Sequence, residues 1–362
     1  MTIADGNRPL KGRGAVSRRS GRFERETREA ADDGWDIDDG DLPPLRTEVT
    51  IERPKTILAR NDSPDIFFER SINPYKGCEH GCVYCYARPS HAYMGLSPGL
   101  DFESRLFAKP DAAKLLEQEL AAPGYRPTVI ALGANTDPYQ PIERERRITR
   151  GVLEVLAGCE HPVAITTKSH LICRDIDILA PMAAKRLVSV GVSVTTLDGR
   201  VARTLEPRAP SPEKRLDAIR RLAEAGIPVT VMVAPMIPVL TDWEMERILE
   251  RAAAAGAVGA AYILLRLPLE VKDLFGEWLA AHAPDMARHV LNQVRETRDG
   301  ALYNSAFGTR MRGTGERAEL LAKRFDIACA RLGLNEGRDE DGSLDLSRFR
   351  PPVPEGGQFR LF

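Results

Sequence analysis

The sequence has no long apolar run and no excess of charge of either sign. None of its apolar stretches reaches the roughly 18 residues that predict a membrane-spanning helix. The formal net charge is -1, so the overall charge neither favours nor excludes an acidic partner such as nucleic acid. The first residues, MTIADGNRPLKGRG, lack the apolar stretch of a secretion signal. We therefore expect a cytoplasmic protein that does not contact membranes.

Cysteine is scarce, with six residues among 362. In a reducing compartment, cysteines that cluster in sequence more often bind metal or take part in chemistry than form disulfides. No short-period repeat is present, which excludes a solenoid. The composition, 43% hydrophobic and 28% charged, is that of a globular protein with one large domain and extensions, or with two domains.

The composition changes along the chain. Glycine, arginine and aspartate dominate the first part and apolar residues are few there, which predicts a disordered or loosely docked arm. The rest reads as a lead-in segment, an α/β core, a helical extension and a proline-broken tail. The predicted boundaries of these five parts are 1–46, 47–68, 69–266, 267–349 and 350–362.

Short apolar runs rich in β-branched residues alternate with longer helical patterns in the core. The predicted strands are 128–133, 163–167, 187–195, 228–234 and 260–265. The predicted helices between them are 111–121, 143–157, 175–184, 212–225 and 242–255, with two more near 271–297 and 315–332. Continuous apolar strands that alternate with helices predict a parallel sheet covered on both faces. With the segment leading into Cys78 as a first strand, the core has six β/α units.

Three of the six cysteines lie together in NPYKGCEHGCVYCYARPSH, at Cys78, Cys82 and Cys85. Iron–sulfur clusters normally take four cysteines, so three would leave one iron free for another ligand. A zinc ion with His80 as fourth ligand is the alternative, although His80 lies two residues from each of the first two cysteines. Three unrelated buried cysteines are the remaining interpretation.

The CxxxCxxC spacing, with an aromatic residue before the last cysteine and a six-unit β/α chain around it, resembles the radical S-adenosylmethionine (SAM) superfamily. The resemblance covers about residues 69–266 and implies a partial (β/α)6 barrel. It also implies a [4Fe-4S] cluster on the three cysteines, with SAM on the open iron. An electron donor such as flavodoxin or ferredoxin would then drive cleavage of SAM to a 5′-deoxyadenosyl radical, which takes a hydrogen atom from the substrate.

Active sites of β/α barrels form at the C-terminal ends of the strands, so the polar residues there are candidate SAM ligands. Lys168 follows the third strand and is expected to pair with the SAM carboxylate. Glu206 and Arg208 are expected to form a charge pair near the mouth. Roles in turns or packing are the alternative for each of these residues. The candidates in chain order are Asn135, Thr136, Asp137, Lys168, Ser193, Thr195, Glu206 and Arg208.

The strings TDPYQPIE and LEPRAPSP are similar to the spore photoproduct lyase-like group, also called DNA repair photolyase-like radical SAM proteins. In the lyase, the residues that match Thr136, Lys168 and Ser193 contact SAM. Tyrosines that match Tyr84 and Tyr86 flank its last cluster cysteine, and the resemblance makes both candidate catalytic residues.

One position departs from the lyase pattern. The lyase uses a cysteine at the end of its second strand to return a hydrogen atom to the product radical, and Ala134 stands there in this sequence. Repair of a thymine spore photoproduct is therefore not implied. Cys173, just past the third strand, is a candidate for a substitute hydrogen donor.

The substrate stays open between nucleic acid, protein and a small molecule. The basic arm and a loop near residues 298–317 are candidates for phosphate contacts and base stacking. The residues of that loop are Arg298, Tyr303, Phe307, Arg310, Arg312 and Arg317. A protein of another class, a zinc-stabilised nucleic-acid binder without enzymatic activity, is the competing hypothesis.

The last residues suggest a protein partner. Gln358, Leu361 and Phe362 resemble the short peptide by which bacterial replication and repair proteins dock on the sliding clamp. The alternative is a tail that folds back on its own domain.

Overall fold

The computed structural model describes residues 9–24, 45–336 and 344–352. Its strands are β1 (Glu48–Ile51), β2 (Leu58–Arg60), β3 (Arg70–Ile72), β4 (Tyr75–Lys76), β5 (Arg105–Ala108), β6 (Ile130–Leu132), β7 (Val163–Thr167), β8 (Val188–Ser193), β9 (Val229–Met236) and β10 (Gly259–Leu264). Its α-helices are α1 (Leu100–Ser104), α2 (Ala112–Leu120), α3 (Glu143–Arg146), α4 (Ile148–Gly158), α5 (Ile176–Ala184), α6 (Gly199–Leu205), α7 (Pro212–Glu224), α8 (Met245–Ala254), α9 (Val271–His282), α10 (Pro284–Glu296) and α11 (Gly315–Leu332).

A seven-stranded sheet forms the centre, in the order β10-β9-β8-β7-β6-β3-β2. The six strands from β3 to β10 in this sheet run parallel, and only β2 pairs antiparallel, with β3. Helices connect successive parallel strands, which confirms the predicted six β/α units of a partial barrel. Because neighbouring strands run parallel, all their C-terminal ends lie at one edge of the sheet, and the polar residues of those ends meet there.

An apolar row crosses the sheet and accounts for its register. Ile72, Leu132, Ile165 and Val190 are paired one after another from β3 to β8, and Val190 pairs with Val229 of β9. All five side chains are buried. A shift of one residue in any of these strands would expose its apolar side chains, so the burial of this row fixes which side chains reach the strand ends.

Local signals mark both ends of α7. The Ser211 side chain accepts a hydrogen bond from the Lys214 N–H and caps the start of the helix. Gly226 then adopts a positive φ just past the end of that helix. At the start of α5 the Asp175 side chain makes no cap, and its carboxylate instead accepts hydrogen bonds from Arg150 and Arg174.

The sequence analysis did not predict a second sheet, which has three strands. In it, β1 pairs parallel with β5, and β5 pairs antiparallel with β4. These strands are only two to four residues long, too short for a periodic signal. The sheet matters because β4 leads directly into Cys78.

Part of the predicted N-terminal arm is docked on the core. Among residues 9–24, the stretch 13–17 is buried. The Leu100 N–H donates to the Ser17 carbonyl at 3.1 Å, and Arg18 pairs with Asp101. Residues 1–8 and 25–44 of the arm lie outside the described residues, as does the predicted clamp-binding segment with Gln358, Leu361 and Phe362.

The C-terminal extension is helical, as predicted, and α11 packs along α8. Arg324 pairs with Glu246 and Arg331 pairs with Glu250 across the two helices. Residues 344–352 then return to the N-terminal edge of the sheet, where the Phe349 ring contacts His161. In the described ranges, no helix combines the length and the apolar character needed to cross a bilayer.

We predict that His161 makes the stability of the fold depend on pH. It is buried, its Nε2 lies 2.8 Å from the Tyr125 hydroxyl, and burial lowers its pKa to about 4. The unfolded chain would protonate it near pH ~6.5. Between pH ~4 and pH ~6.5 only the unfolded chain binds this proton, so the free energy of unfolding falls by about 1.4 kcal/mol for each unit by which the pH is lowered. Above pH ~6.5 His161 causes no such loss.

The measurement compares the thermal unfolding midpoint at pH 7 and pH 5 in the natural sequence and in His161→Gln. The variant should lose less stability between the two pH values. The control is His289→Gln, a change at an exposed position that should keep the natural pH dependence. Equal pH dependence in all three proteins would contradict the assignment.

Candidate metal and cofactor site

The cysteine loop, residues 77–85, joins β4 to a 3-10 turn at Arg88–Met94. Cys78 and Cys82 are buried, Cys85 is half-buried, and all three are free thiols. Burial raises the pKa of each thiol, and the pKa of Cys78 is raised further by the charges of Cys82 and Cys85. Three thiolates on one short, largely buried loop would need compensating positive charge, which bound iron supplies.

The structure argues against the zinc alternative. His80 Nδ1 lies 3.3 Å from a carboxylate oxygen of Asp137, so His80 is engaged away from the thiols. Within the described ranges, no three Cys, His, Asp or Glu side chains form a group that could hold one metal ion. A four-iron cluster is larger than a single ion and takes thiolates that stand further apart. The donor set therefore fits an iron–sulfur cluster better than zinc.

Two glycines give the cysteine loop its shape. Gly77 and Gly81 both have positive φ, which other residues adopt only with strain. A Cβ on Gly81 would lie 2.8 Å from Glu103 Oε2, and a Cβ on Gly77 would lie 2.8 Å from the Phe102 carbonyl oxygen. Neither position has room for a side chain, so the loop can pack directly against α1.

A buried arginine holds the loop from that side. Arg88 is fully buried and donates hydrogen bonds to the carbonyl oxygens of Cys82 (2.8 Å) and Gly81 (3.1 Å). Its guanidinium also pairs with Glu103, which is fully buried as well. Since main-chain carbonyls of the loop are the acceptors, this pair fixes the backbone around the second cysteine.

Gln140 holds the other side of the loop and was missed in the sequence. Its Oε1 accepts from the Glu79 N–H at 2.9 Å, and its Nε2 donates to the Gly77 carbonyl at 3.1 Å. The side chain is fully buried. Gln140 lies within the TDPYQPIE string, so that string was the signal that could have identified it.

Asp137, predicted to contact SAM, has both oxygens engaged within the protein. It accepts hydrogen bonds from the Thr167 hydroxyl (2.6 Å) and the Lys168 N–H (2.7 Å), besides the contact with His80. Burial alone would raise its pKa, but His80 and these hydrogen bonds lower it. Asp137 therefore ties the cysteine loop to the end of β7, and the predicted SAM contact is not supported by its geometry.

Four of the predicted SAM ligands meet Tyr84 and Arg215 at the mouth of the sheet, in what we term the Glu206 cluster. The four are Lys168, Ser193, Thr195 and Glu206. Glu206 pairs with Arg215, and both are buried. The Tyr84 hydroxyl donates to the same carboxylate, and the Thr195 hydroxyl donates to it at 2.8 Å. The predicted partner Arg208 is wrong: it pairs with Glu79 at 3.0 Å on the far side of the loop.

Lys168 extends over this cluster towards the thiols. Its Nζ donates to Ser193 Oγ at 2.6 Å and to the Ala234 carbonyl at 3.3 Å, and lies 3.6 Å from Glu206. Burial lowers its pKa, while the charge of Cys82 raises it. A half-buried ammonium between a carboxylate and the cysteines is the arrangement expected for binding an anionic group beside the cluster.

Three other predicted site residues, Asn135, Thr136 and Cys173, lie outside the Glu206 cluster. The Asn135 N–H donates to Asn73 Oδ1 at 3.1 Å, and the Thr136 hydroxyl donates to the Tyr75 carbonyl at 3.0 Å, so both hold the turn after β6. Cys173 does not join the site. It lies in the 3-10 turn His170–Asp175, which packs on α7. Burial raises the pKa of its thiol, and the charge of Arg221 partly opposes this shift.

Tyr86 stands at the open side of the site. It is 45% exposed, and its hydroxyl donates to the carbonyl of Ala134, the residue at the lyase cysteine position. The Arg266 guanidinium lies 5.3 Å from the centre of the Tyr86 ring. Arg266 follows β10 by two residues, and its buried Nε has no hydrogen-bond partner. Sequence reasoning missed Arg266 because a single arginine after a strand carries no signal.

The arginines predicted to contact phosphate are mostly engaged within the protein. Arg298 is buried and donates to the carbonyls of Leu264 and Leu265, among others. Arg310 pairs with Asp65 and Arg317 pairs with Asp242. These contacts engage the three arginines within the fold, and their predicted role in binding phosphate stays a prediction.

The three remaining basic and aromatic candidates of this loop differ in exposure. The Arg312 guanidinium lies 4.3 Å from the centre of the buried Tyr262 ring. Tyr303 is half-buried, whereas Phe307 is 60% exposed. Phe307 is thus the residue of this loop whose geometry agrees with the predicted stacking role.

Comparison with known proteins gives a family model and several relatives. The model of the radical SAM superfamily matches residues 72–252. An uncharacterized protein of Mycobacterium tuberculosis (strain ATCC 25618 / H37Rv) is 36% identical over 271 residues, which cover 70% of this chain and 80% of that protein. A radical SAM Nalpha-GlyT isomerase of Pseudomonas phage M6 is 26% identical over 186 residues, 51% of this chain and 36% of the isomerase.

Solved structures of spore photoproduct lyase share the fold. The lyase complexed with dinucleoside spore photoproduct superimposes with a TM-score of 0.57 at 16% identity, over 79% of this chain and 80% of the lyase. A mutant of the same lyase gives a TM-score of 0.56 at 15% identity, over 82% and 87%. At these identities the likeness concerns the architecture alone.

We predict that Glu206→Gln destabilises the protein by about 3–5 kcal/mol, because it leaves the buried Arg215 charge without its partner. The matched control is Glu213→Gln, which removes one partner of the exposed Arg251 pair and should cost less than about 1 kcal/mol. Urea unfolding under anaerobic conditions measures both. A loss no larger for Glu206→Gln than for the control would contradict the role of the Glu206 cluster.

Proposed function

We propose, from the premise that this chain belongs to the radical SAM superfamily, that it cleaves SAM reductively and abstracts a hydrogen atom from a nucleic-acid substrate. The cofactors of the family are a [4Fe-4S] cluster and SAM. When bound, they supply one-electron cleavage of the SAM sulfonium to a 5′-deoxyadenosyl radical. The observation that carries the proposal is the braced loop of three thiols, two of them buried, beside the Lys168 ammonium.

In this proposal the three cysteines hold the cluster, and the strand ends hold SAM. Lys168 binds the SAM carboxylate, since its ammonium is half-buried and close to the thiols. Ser193 orients Lys168 by accepting its hydrogen bond, and Thr195 donates to the Ala234 carbonyl that Lys168 also contacts. Glu206 keeps Lys168 and Tyr84 in place and is a positioning residue.

The two tyrosines have different roles in this proposal. Tyr84 is buried and bound to Glu206, so it forms part of the wall behind SAM. Tyr86 is exposed beside Ala134 and faces the incoming substrate. Because alanine cannot donate a hydrogen atom as a thiol does, the reaction differs from thiol-quenched lyase chemistry. An electron donor of the flavodoxin or ferredoxin type and a cytoplasmic location belong to the same proposal.

Three observations support nucleic acid as the substrate class. The lyase that shares the fold was solved with a dinucleoside spore photoproduct. Arg266 offers an unpartnered donor beside the exposed Tyr86 ring. The exposed rings of Phe67 and Phe307 lie on loops joined by the Asp65 hydrogen bond to the Gly308 N–H. Aromatic rings with nearby arginine suit a single strand.

A protein or small-molecule substrate is the second candidate, and one observation favours it. Arg298, Arg310 and Arg317 are committed to the fold, so few cations remain for a phosphate backbone. The zinc-stabilised binder is disfavoured by the contact between His80 and Asp137. Binding and turnover experiments separate these classes.

We predict that the purified chain, supplied anaerobically with ferrous ion and sulfide, turns brown and absorbs broadly near ~400 nm. With SAM and a strong reductant it should release 5′-deoxyadenosine. Cys82→Ala should abolish both signals, whereas Cys329→Ala, at a cysteine outside the loop, should keep both. A colourless protein that retains one zinc ion would refute the proposed function.

We predict that Arg266→Ala weakens binding of single-stranded DNA and lowers the slope of log affinity against log salt by about 1. The reason is loss of one phosphate contact. Arg200→Ala, which removes a side chain 92% exposed, serves as the control and should leave the slope unchanged. Fluorescence anisotropy with a labelled oligonucleotide measures both. Equal affinity of the two variants, or no binding by the natural sequence, would favour the second candidate.

A further inference from the structure

The docked N-terminal segment, residues 9–24, reaches the back of the cysteine loop, and we name it the strap. The Gly14 N–H donates to Glu103 Oε2 at 2.9 Å and the Ala15 N–H donates to Oε1 at 2.8 Å. Arg13 Nη1 donates to the Glu103 carbonyl at 2.7 Å. The Glu103 carboxylate is also the partner of Arg88. The strap and the cysteine loop therefore share one buried carboxylate.

The strap also touches the loop directly, main chain against main chain. A Cβ built on Gly14 would lie 1.8 Å from the Gly81 carbonyl oxygen and 3.4 Å from the Val83 nitrogen. Gly14 does not have a positive φ, so its backbone conformation is open to any residue. Glycine is required there solely because the cysteine loop leaves no room for a side chain.

Beyond this contact the strap binds α9. Ser17 Oγ donates to Glu277 at 2.6 Å, and Arg22 Nη1 contacts both carboxylate oxygens of Glu270 at 2.8 and 2.9 Å. The inner face of α9 belongs to the same apolar cluster as Cys82 and Tyr84, through residues such as Phe275. The strap thus joins α1, through Glu103, to α9, through Glu277, and both helices pack against the cysteine loop.

We propose that the strap is a positioning element of the iron–sulfur centre, which holds the Gly81–Cys82 backbone and shields that side of the loop from solvent. The inference rests on the proposed function only through the cluster, and it requires no particular substrate. Residues that orient metal ligands from outside determine how firmly a metal centre is held. An N-terminal segment that merely covered the surface would need neither a shared buried carboxylate nor a glycine in contact with the loop.

The test is Gly14→Ala in the full-length chain, reconstituted anaerobically. We expect the added methyl group to displace the strap, so that absorbance near ~400 nm bleaches in air about tenfold faster than in the natural sequence. The EPR signal of the reduced cluster with SAM should also change, which a purely structural role would not cause. Gly158→Ala is the matched control, because nothing lies within 4 Å of the added Cβ there, and it should bleach at the natural rate.

A second variant, a chain that lacks residues 1–17, removes the strap contact with Glu103 altogether. Thermal unfolding of each variant reports whether the barrel remains folded; if the shortened chain does not fold, Gly14→Ala decides alone. A natural bleaching rate and EPR signal in every folded strap variant would overturn the inference while cluster assembly and SAM cleavage stand. Failure of the unaltered chain to assemble a cluster would instead refute the proposed function.

Discussion

The buried ion pair between Arg88 and Glu103 is the interaction on which the candidate site depends. Removing two opposite charges from water is costly, and the cost is recovered only when every donor and acceptor around them is satisfied. Here Arg88 also donates to four carbonyl oxygens, those of Gly81, Cys82, Pro98 and Gly99. The Glu103 oxygens in turn accept main-chain N–H groups of the strap. Replacing the pair with apolar groups would leave all these main-chain groups unsatisfied, so the pair serves to position the loop.

Buried polar side chains also position the opposite side of the loop. There, side chains that follow β6 form hydrogen bonds with the main chain of the loop. Gln140 bonds to Glu79 and Gly77, and Asp137 contacts His80 while binding the end of β7. The loop is therefore tied to α1 on one side and to two neighbouring strand ends on the other. Three thiols on such a loop are held in a fixed arrangement, which favours a preformed metal site.

Charge at the mouth of the sheet is arranged around one carboxylate. Glu206 balances Arg215 and keeps Lys168 over the thiols, so a single buried anion sets the position of the cation proposed to bind SAM. The open side is different in character, with the exposed Tyr86 ring, the Ala134 carbonyl and Arg266. In the proposed function, one side of the mouth binds the cofactor and the other receives the substrate.

The sequence by itself determined the parallel α/β core and the cysteine site. Apolar runs such as Val163–Thr167 can be identified from local pattern, and the spacing of three cysteines carries its own signal. Only the tertiary structure decided which charges meet: Glu206 with Arg215 instead of Arg208, and Arg310 with Asp65. It also decided that part of a glycine-rich arm docks on the cysteine loop. The physical reason is that periodicity and spacing reflect nearest neighbours in the chain, whereas buried ion pairs and close backbone contacts join residues far apart in sequence, and no local pattern records them.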